Sequence, residues 1–301
     1  QVWNVNKRFF LAGSLLTLEA WLRRTKLENK PENSLIVNFS QCFLENAQVY
    51  YAQGPMTMAL DDMRPEMQTY QRLIYKLARW HFVRRDKKFV EKLAEKSKIM
   101  IANSSFCASM YRRWGVEAKK VIYPPLDCAV FKPSNSTPTS DYVLTYAGKE
   151  TKYSVLKRIA ESGVKVKVFG SKVSCPKSLL QQSNIEFLGK ITDEELVNAY
   201  SNALFTIFSF THEPFGYIPV ESMACGTPVL TYNRQGPAES VIDGETGWLV
   251  ETDEQIISTA AELWRKGYPS NIRESCRKRA MLFDVETISK EWLEVIEEFV
   301  S

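Results

Sequence analysis

The sequence predicts an α/β protein of two units, each a parallel sheet flanked by helices. Three observations carry this. From Tyr142 onward, short apolar runs alternate with helical runs at a steady pace, as parallel strands joined by right-handed crossovers require. Lys132 to Asp141, with two prolines and several Ser and Thr, reads as a linker before that half. The chain of 301 residues is also long enough for two cores of ordinary size.

The elements follow in order. Leu11, Leu15, Leu18 and Leu22 recur at helical spacing between Lys7 and Thr25. Ser34–Phe39 and Val49–Ala52 read as strands, the second stopped by Gly54 and Pro55. A long basic helix is expected from Glu66 to Lys96. The strand Lys98–Ala102 follows, and Asn103 and Ser104 cap a helix reaching Trp114 before Gly115. Val121–Tyr123 is a strand broken by Pro124 and Pro125. Beyond the linker, strands are expected at Tyr142–Tyr146, Val164–Phe169, Ile185–Leu188, Leu204–Phe208 and Val229–Tyr232. Helices are expected at Tyr153–Ser162, from a Thr192–Glu195 capping box to Ala203, at Pro219–Ala224, and over much of the chain after Glu254.

Composition excludes several classes. The longest uncharged stretch, Leu196–His212, is interrupted by Asn198, Ser201, Asn202, Thr206 and Ser209 and reads as no membrane span. Six scattered cysteines and two histidines make a zinc cluster improbable, and reduced, mostly buried thiols are expected. The net charge of +4 conceals an asymmetry. Residues 1–132 hold 22 Lys and Arg against 12 Asp and Glu, while residues 133–301 hold 17 against 23. The basic half suggests an anionic partner, with Arg79, Arg84, Arg85, Lys87 and Lys88 as candidate contacts at a membrane surface. No nucleic-acid partner is expected.

Ser209 to Leu230 is the richest segment. An apolar strand ends near Phe208, at the carboxyl edge of the sheet where ligands usually bind. Gly216 permits a tight turn, and Pro219 suits the first turn of the next helix. The start of that helix would offer amides and a positive dipole end to a diphosphate. Glu213 before the helix and Glu221 inside it could grip two hydroxyl-bearing parts of one ligand.

Glu213-Pro-Phe-Gly-Tyr-Ile-Pro-Val-Glu221 resembles the E-x7-E signature of retaining GT-B glycosyltransferases, and Ser222–Val229 continues it in the manner of family four. Gly236–Glu239, Asp243–Val250, Ala102–Ser105 and Val121–Asp127 are similar to other blocks of that family. Tyr50–Pro55, with Arg84–Asp86, looks like its mannosyltransferase branch in lipopolysaccharide and capsule assembly. The resemblance implies two Rossmann-like domains facing across a cleft: 1–132 for the acceptor, 133–284 for the donor, and 285–301 as a helix returning to the first. The first domain reads as incomplete, its first strand, glycine-rich loop and first helix absent or preceding Gln1.

The same resemblance implies roles. Glu213 would contact the transferred sugar, with the amides of Phe215, Gly216, Tyr217 and Ile218 near the phosphates. Glu221 would hold the ribose. Gly148 and Lys149 would open the diphosphate site, Lys152 being the nearest candidate for a second cation, at a shorter spacing than usual. Gly170, Lys190 and Ile191 would lie by the nucleobase, and Gln53 and Gly54 on the acceptor side. Gln53 stands where family members usually carry His, which puts sugar choice and catalytic competence in question.

The expected activity is retaining transfer of a hexosyl unit, mannose or glucose, from a donor such as GDP-mannose or UDP-glucose. The acceptor would be a glycan or a polyprenyl-phosphate-linked molecule, at the cytoplasmic membrane face. No cofactor or metal is expected, because Asp61 and Asp62 are adjacent rather than spaced as D-x-D. The rivals are a sugar-nucleotide-binding protein that has lost transfer and an epimerase or phosphorylase of the same fold. The first is separated by scoring binding and turnover apart, and nothing marks the lysine a phosphorylase would need.

Overall fold

The computed structural model describes residues 34–40, 44–134, 138–171 and 175–300. The helical run expected between Lys7 and Thr25 lies outside the described residues, as does Cys42.

Among the described residues, the first sheet holds four strands in the order β1-β2-β3-β4: Val37–Asn38, Ala47–Ala52, Ser97–Ala102 and Lys120–Val121. All pair in parallel. Helix α1 (Met56–Met63), a 3-10 turn (Arg64–Glu66) and the 27-residue α2 (Thr69–Glu95) join β2 to β3, and α3 (Ser105–Arg112) follows β3. Alternation along β2 and β3 decides its two faces. Tyr50, Ala52, Met100 and Ala102 pack with Leu93, Val90 and Tyr111. Val49, Tyr51 and Ile101 meet Ile288 and Val295 from the other end of the chain.

The second sheet runs β10-β9-β8-β5-β6-β7, wholly parallel. Its strands are β5 (Val143–Ala147), β6 (Val166–Gly170), β7 (Ile185–Gly189), β8 (Thr206–Phe208), β9 (Val229–Tyr232) and β10 (Gly247–Val250). In chain order this is the 3-2-1-4-5-6 arrangement, which reverses direction between β5 and β8. The helices between them are α4 (Tyr153–Glu161), α5 (Lys177–Leu180), α6 (Asp193–Asn202), α7 (Tyr217–Ala224) and α8 (Pro237–Ser240). After β10 come α9 (Asp253–Lys266), α10 (Asn271–Ala280), a 3-10 turn (Met281–Phe283) and α11 (Val285–Val300). The expected capping box is present: Thr192 Oγ1 accepts from Glu195 N, and Glu195 accepts from Thr192 N.

Several boundaries moved for physical reasons. The strand expected over Ser34–Phe39 shrinks to Val37–Asn38, an edge that pairs only with Val49 and Tyr50. No helix is expected between Pro55 and Glu66, yet α1 forms there and is capped from afar. Asp86 Oδ2 on α2 accepts from Thr57 N and Thr57 Oγ1, each at 2.7 Å. Strand β10 also escaped the sequence reading. It pairs in register with β9, and Gly247 sits so close that an added Cβ would lie 2.0 Å from the Val229 carbonyl oxygen.

Helix α11 crosses back to the first sheet. It buries Ile288 and Val295 and packs Trp292 at a tilt against Tyr51 and Phe39, with ring centroids 5.3 and 5.6 Å apart. Leu293 faces outward.

Candidate active site

Parallel strands deliver their carboxyl ends to one edge, and the loops there carry the predicted residues. Gly148 and Lys149 follow β5, Gly170 ends β6, Lys190 and Ile191 follow β7, and Glu213 to Ile218 follow β8. The switch point lies between β5 and β8, where the two loops are stapled together. Glu150 O accepts from Thr211 N at 2.8 Å and from Thr211 Oγ1 at 3.1 Å, and Ser209 O accepts from Lys152 N at 3.1 Å. Gly148 N donates to Thr151 Oγ1 at 2.9 Å. Beside them Ser209 Oγ is buried and, among the described residues, has no hydrogen-bond partner.

Glycines let the backbone close on itself here. Gly216 caps α7 at a φ of 91°, a left-handed conformation that costs other residues roughly 1–2 kcal/mol. A Cβ on Gly236 would lie 2.3 Å from Pro214 O and 2.4 Å from Phe215 Cα, so the β9 loop packs directly on the Glu213 loop.

Glu213 is held before any ligand arrives. Its Oε1 accepts from Gly216 N at 3.1 Å and, more loosely, from Phe215 N at 3.4 Å. Its own N–H donates to Gln235 Oε1 at 2.6 Å. Burial first, then the neighbouring charge of Glu150, push its carboxyl up to about 7 against the opposing pull of those two amides. Glu221, one helical stretch on, accepts from the Tyr200 hydroxyl at 2.9 Å, and burial raises it to about 7 as well. Tyr200 is itself fully buried. Glu150 is raised chiefly by burial, with Lys149 and His212 pulling the other way. Glu150 thus opposes the charge of Glu213, while Glu221 is raised chiefly by its own burial.

The cations divide. Lys149 is exposed beside the switch point. Lys152 is engaged by Asp253, with its Nζ 2.5 and 2.6 Å from the two carboxylate oxygens, and Asp253 also accepts from Tyr232 OH. Lys190 is exposed at the far side of the edge, and Ile191 packs against the Tyr200 cluster. Across the cleft, Gly54 reaches the Glu213 loop: at a φ of 107°, its Cβ position lies 3.5 Å from Pro214 Cγ. Gln53 is exposed and donates to Phe39 O at 3.3 Å.

The structure adds residues that sequence reasoning missed. Asp62, on α1, accepts from Gln235 Nε2 at 3.1 Å and lies 2.8 Å from His212 Nδ1. Its neighbour Asp61 is paired with Arg79 and the Tyr75 hydroxyl. Gln235 holds a left-handed φ of 59° to serve both sides. Glu239, on α8, accepts from Ser105 N at 2.9 Å, Phe106 N at 2.6 Å and Tyr123 OH at 2.9 Å. It lies at the α3 N-terminus, where negative charge is favoured. Ser104 Oγ donates to Pro214 O at 2.5 Å. No sequence signal paired Asp62, Glu239 and Ser104 with these partners, because each of those bonds crosses more than 100 positions. Among the described residues, no group of three or more His, Cys, Asp or Glu is arranged to hold a metal.

Comparison with known proteins sharpens this picture. Residues 154–281 match the family model described as glycosyl transferases group 1. In this stretch, less than half of the chain, the protein is similar to group 1 glycosyltransferases. The match runs from α4 to the start of the turn after α10, and so includes both glutamates. Mouse alpha-1,3/1,6-mannosyltransferase ALG2 is 32% identical over 90 residues, 29% of this chain and 22% of ALG2. A probable sucrose-phosphate synthase of Thermosipho melanesiensis is 33% identical over 116 residues, 37% of this chain and 27% of that protein. The matched stretches therefore span about a quarter of these curated relatives.

Solved structures extend the likeness over both sheets. Sucrose-phosphate synthase of Thermosynechococcus elongatus superposes with a TM-score of 0.64 at 19% identity, covering 84% of this chain and 74% of that one. Anabaena HepE in complex with UDP-glucose gives 0.62 at 23% identity, covering 83% and 72%. The fold of the two sheets is GT-B.

Proposed function

We propose that this protein transfers a hexosyl unit from a nucleotide diphosphate sugar to an acceptor hydroxyl with retention at the anomeric carbon. The observation that carries the reading is the placement of Glu213 and Glu221 around the N-terminus of α7, at the switch point and within the stretch similar to group 1 glycosyltransferases. The diphosphate lies by Lys149 and the first amides of α7. Tyr217 and Ile218 open that helix and have no intrahelical acceptor for their N–H groups. The Glu221 oxygen left open by Tyr200 accepts from the ribose, and Glu213 meets the transferred sugar. Gly170, Lys190 and Ile191 border the nucleobase.

In the reaction, the bond from the anomeric carbon to the diphosphate breaks as the acceptor oxygen bonds that carbon, and the acceptor's hydroxyl proton passes to the departing diphosphate oxygen. Charge passes to the diphosphate, where fixed amides and Lys149 stabilise it without reorganising. Glu213, near 7, can accept from and donate to sugar hydroxyls as charge develops. No metal is needed in this scheme, so activity should survive a chelator. The donor is a GDP-mannose or UDP-glucose type molecule. The acceptor is a glycan or polyprenyl-phosphate-linked molecule of polysaccharide assembly, met at the cytoplasmic face of a membrane.

A panel of labelled nucleotide sugars, scored separately for binding and turnover, tests the reading. Glu221→Ala should weaken donor binding by about 1.5–3 kcal/mol, roughly tenfold to a hundredfold. Glu213→Gln should lower the single-turnover rate more than donor affinity, because part of its contact exists only in the transition state. If both variants change binding alone, the protein is a sugar-nucleotide-binding module. The engagement of Gln53 with Phe39 O, where the family usually has His, is the observation on that side.

A further inference from the structure

We propose that the outer face of α2 is a docking surface for an anionic lipid bilayer. The inner face of this helix is accounted for: Tyr75, Val90 and Leu93 are buried, and Phe82 stacks on Tyr75. The opposite face is not what a solvated helix presents. Tyr70, Leu73, Leu77 and Trp80 recur every three or four residues, and so share one side. Leu77 is 79% exposed and Trp80 70%, with Leu73 at 59% and Tyr70 at 48%. Large apolar side chains aligned in open solvent mark an interaction site.

The charge around the stripe identifies its partner. Between Thr69 and Arg85 the helix carries Arg72, Lys76, Arg79, Arg84 and Arg85 and no acidic residue. Arg79 is taken by Asp61. Arg64, Arg72, Lys76, Arg84, Arg85 and Lys88 have no carboxylate partner among the described residues. Arg84 and Lys88 continue the line of the stripe, and the Arg84 guanidinium lies 5.4 Å over the Trp80 ring. Beside Leu73 a cleft of about 340 Å³ is lined by Arg64, Pro65, Arg72 and Lys76. Arg72 is fixed there by its hydrogen bonds to Pro65 O and Met67 O. Three cations around a shallow cleft suit a lipid phosphate. The adjoining Leu, Tyr and Trp side chains suit the acyl boundary below it. An acidic protein groove would match the cations alone, whereas the exposed Tyr70 and Trp80 among them are side chains of the kind that settle at a headgroup boundary.

The inference deepens the membrane-side part of the proposed function. Binding is read without donor or acceptor, so its failure leaves the transfer reading standing. The full chain is sedimented with vesicles of phosphatidylcholine, with and without phosphatidylglycerol. Binding should require the anionic lipid and weaken as salt rises. Arg64→Gln with Arg72→Gln and Lys76→Gln should lower partition on the order of a hundredfold. Leu77→Ser with Trp80→Ser, at positions too exposed to support the fold, should lower it roughly tenfold or more. Spin-labelled lipid should quench wild-type fluorescence more than that of Trp80→Phe. Equal binding to neutral and anionic vesicles at low salt overturns the proposal. So does release by inorganic phosphate with Leu77→Ser/Trp80→Ser binding as wild type, which would mark a free-phosphate site. An apolar variant that dissolves a dimer while no vesicle is bound overturns it in favour of self-association.

Discussion

The two sheets divide the work unequally. The second is six strands wide, buried on both faces, and carries Glu213, Glu221, Glu150 and Lys149. The first, among the described residues, is four strands wide, ends on two-residue edges, and has one face closed by α11 from the far end of the chain. What it offers the site is small and polar: Asp62, the Ser104 hydroxyl, and the amides of Ser105 and Phe106. The contrast teaches that chemistry can be concentrated in one unit while its geometry depends on another. Glu213, Glu221 and Glu150 stand on one side of the cleft, and the bonds that fix their loops come partly from the other.

Four perturbations would break or sharpen that contrast. The largest effect is expected where the first sheet borrows its cover. Ile288→Ala removes a buried α11 side chain from Val49, Tyr51, Ile101 and Ile122, and should cost about 2–5 kcal/mol in denaturant titration. A loss below 1 kcal/mol, in that case, would mean α11 is an ornament rather than a layer.

The next effect is titration within the second sheet. Glu213 and Glu221 have folded-state values near 7, raised from 4.5. Neither costs stability below pH 4.5, where folded and unfolded chains both hold the proton. As pH rises from 4.5 to 7 the unfolded chain ionises first, so stability should fall, by about 3 kcal/mol for each group. Glu213→Gln and Glu221→Gln should each flatten this decline, followed by thermal melts across that range. Donor hydroxyls that bond an ionised Glu221 lower its pKa, so donor affinity should climb toward pH 7 and then level off.

A smaller change tests the bridge between the units. Glu239→Gln keeps the shape but leaves one acceptor oxygen for Ser105 N, Phe106 N and Tyr123 OH. It should cost roughly 1–3 kcal/mol, with a more open cleft in small-angle scattering. An unchanged profile would mean the units are held by packing alone. The smallest effect belongs to the exposed pairs Lys119–Glu298 and Lys120–Glu294, which also join α11 to the first unit. Glu294→Gln should change stability by about 0–1 kcal/mol, a control showing that apolar burial, not surface charge, attaches the helix.

The second unit was the more legible because its signals are local. Val229–Tyr232 emerged with the expected bounds, and Thr192 with Glu195 formed the expected capping box. In the first unit, α1 passed unseen because its cap, Asp86, lies 29 residues away. Lys152 illustrates the same limit within a motif. Its position near Gly148 suggested an anion contact, while Asp253, 101 residues on, engages its ammonium.

By itself the sequence determined what is set by short spacings: alternating strands and helices, the glycine turn at Gly216, and two glutamates eight positions apart. Those properties depend on backbone sterics and periodicity, which neighbouring residues settle among themselves. Only the tertiary structure decided which groups share a carboxyl edge, and that Gln235 and Asp62 brace the Glu213 loop. It also decided that Glu239 reaches the start of α3 and that α11 closes the first sheet. Such contacts depend on where separate elements come to rest. Burial then sets their electrostatics, lifting Glu213 and Glu221 to about 7 in a way their spacing in the chain could not reveal.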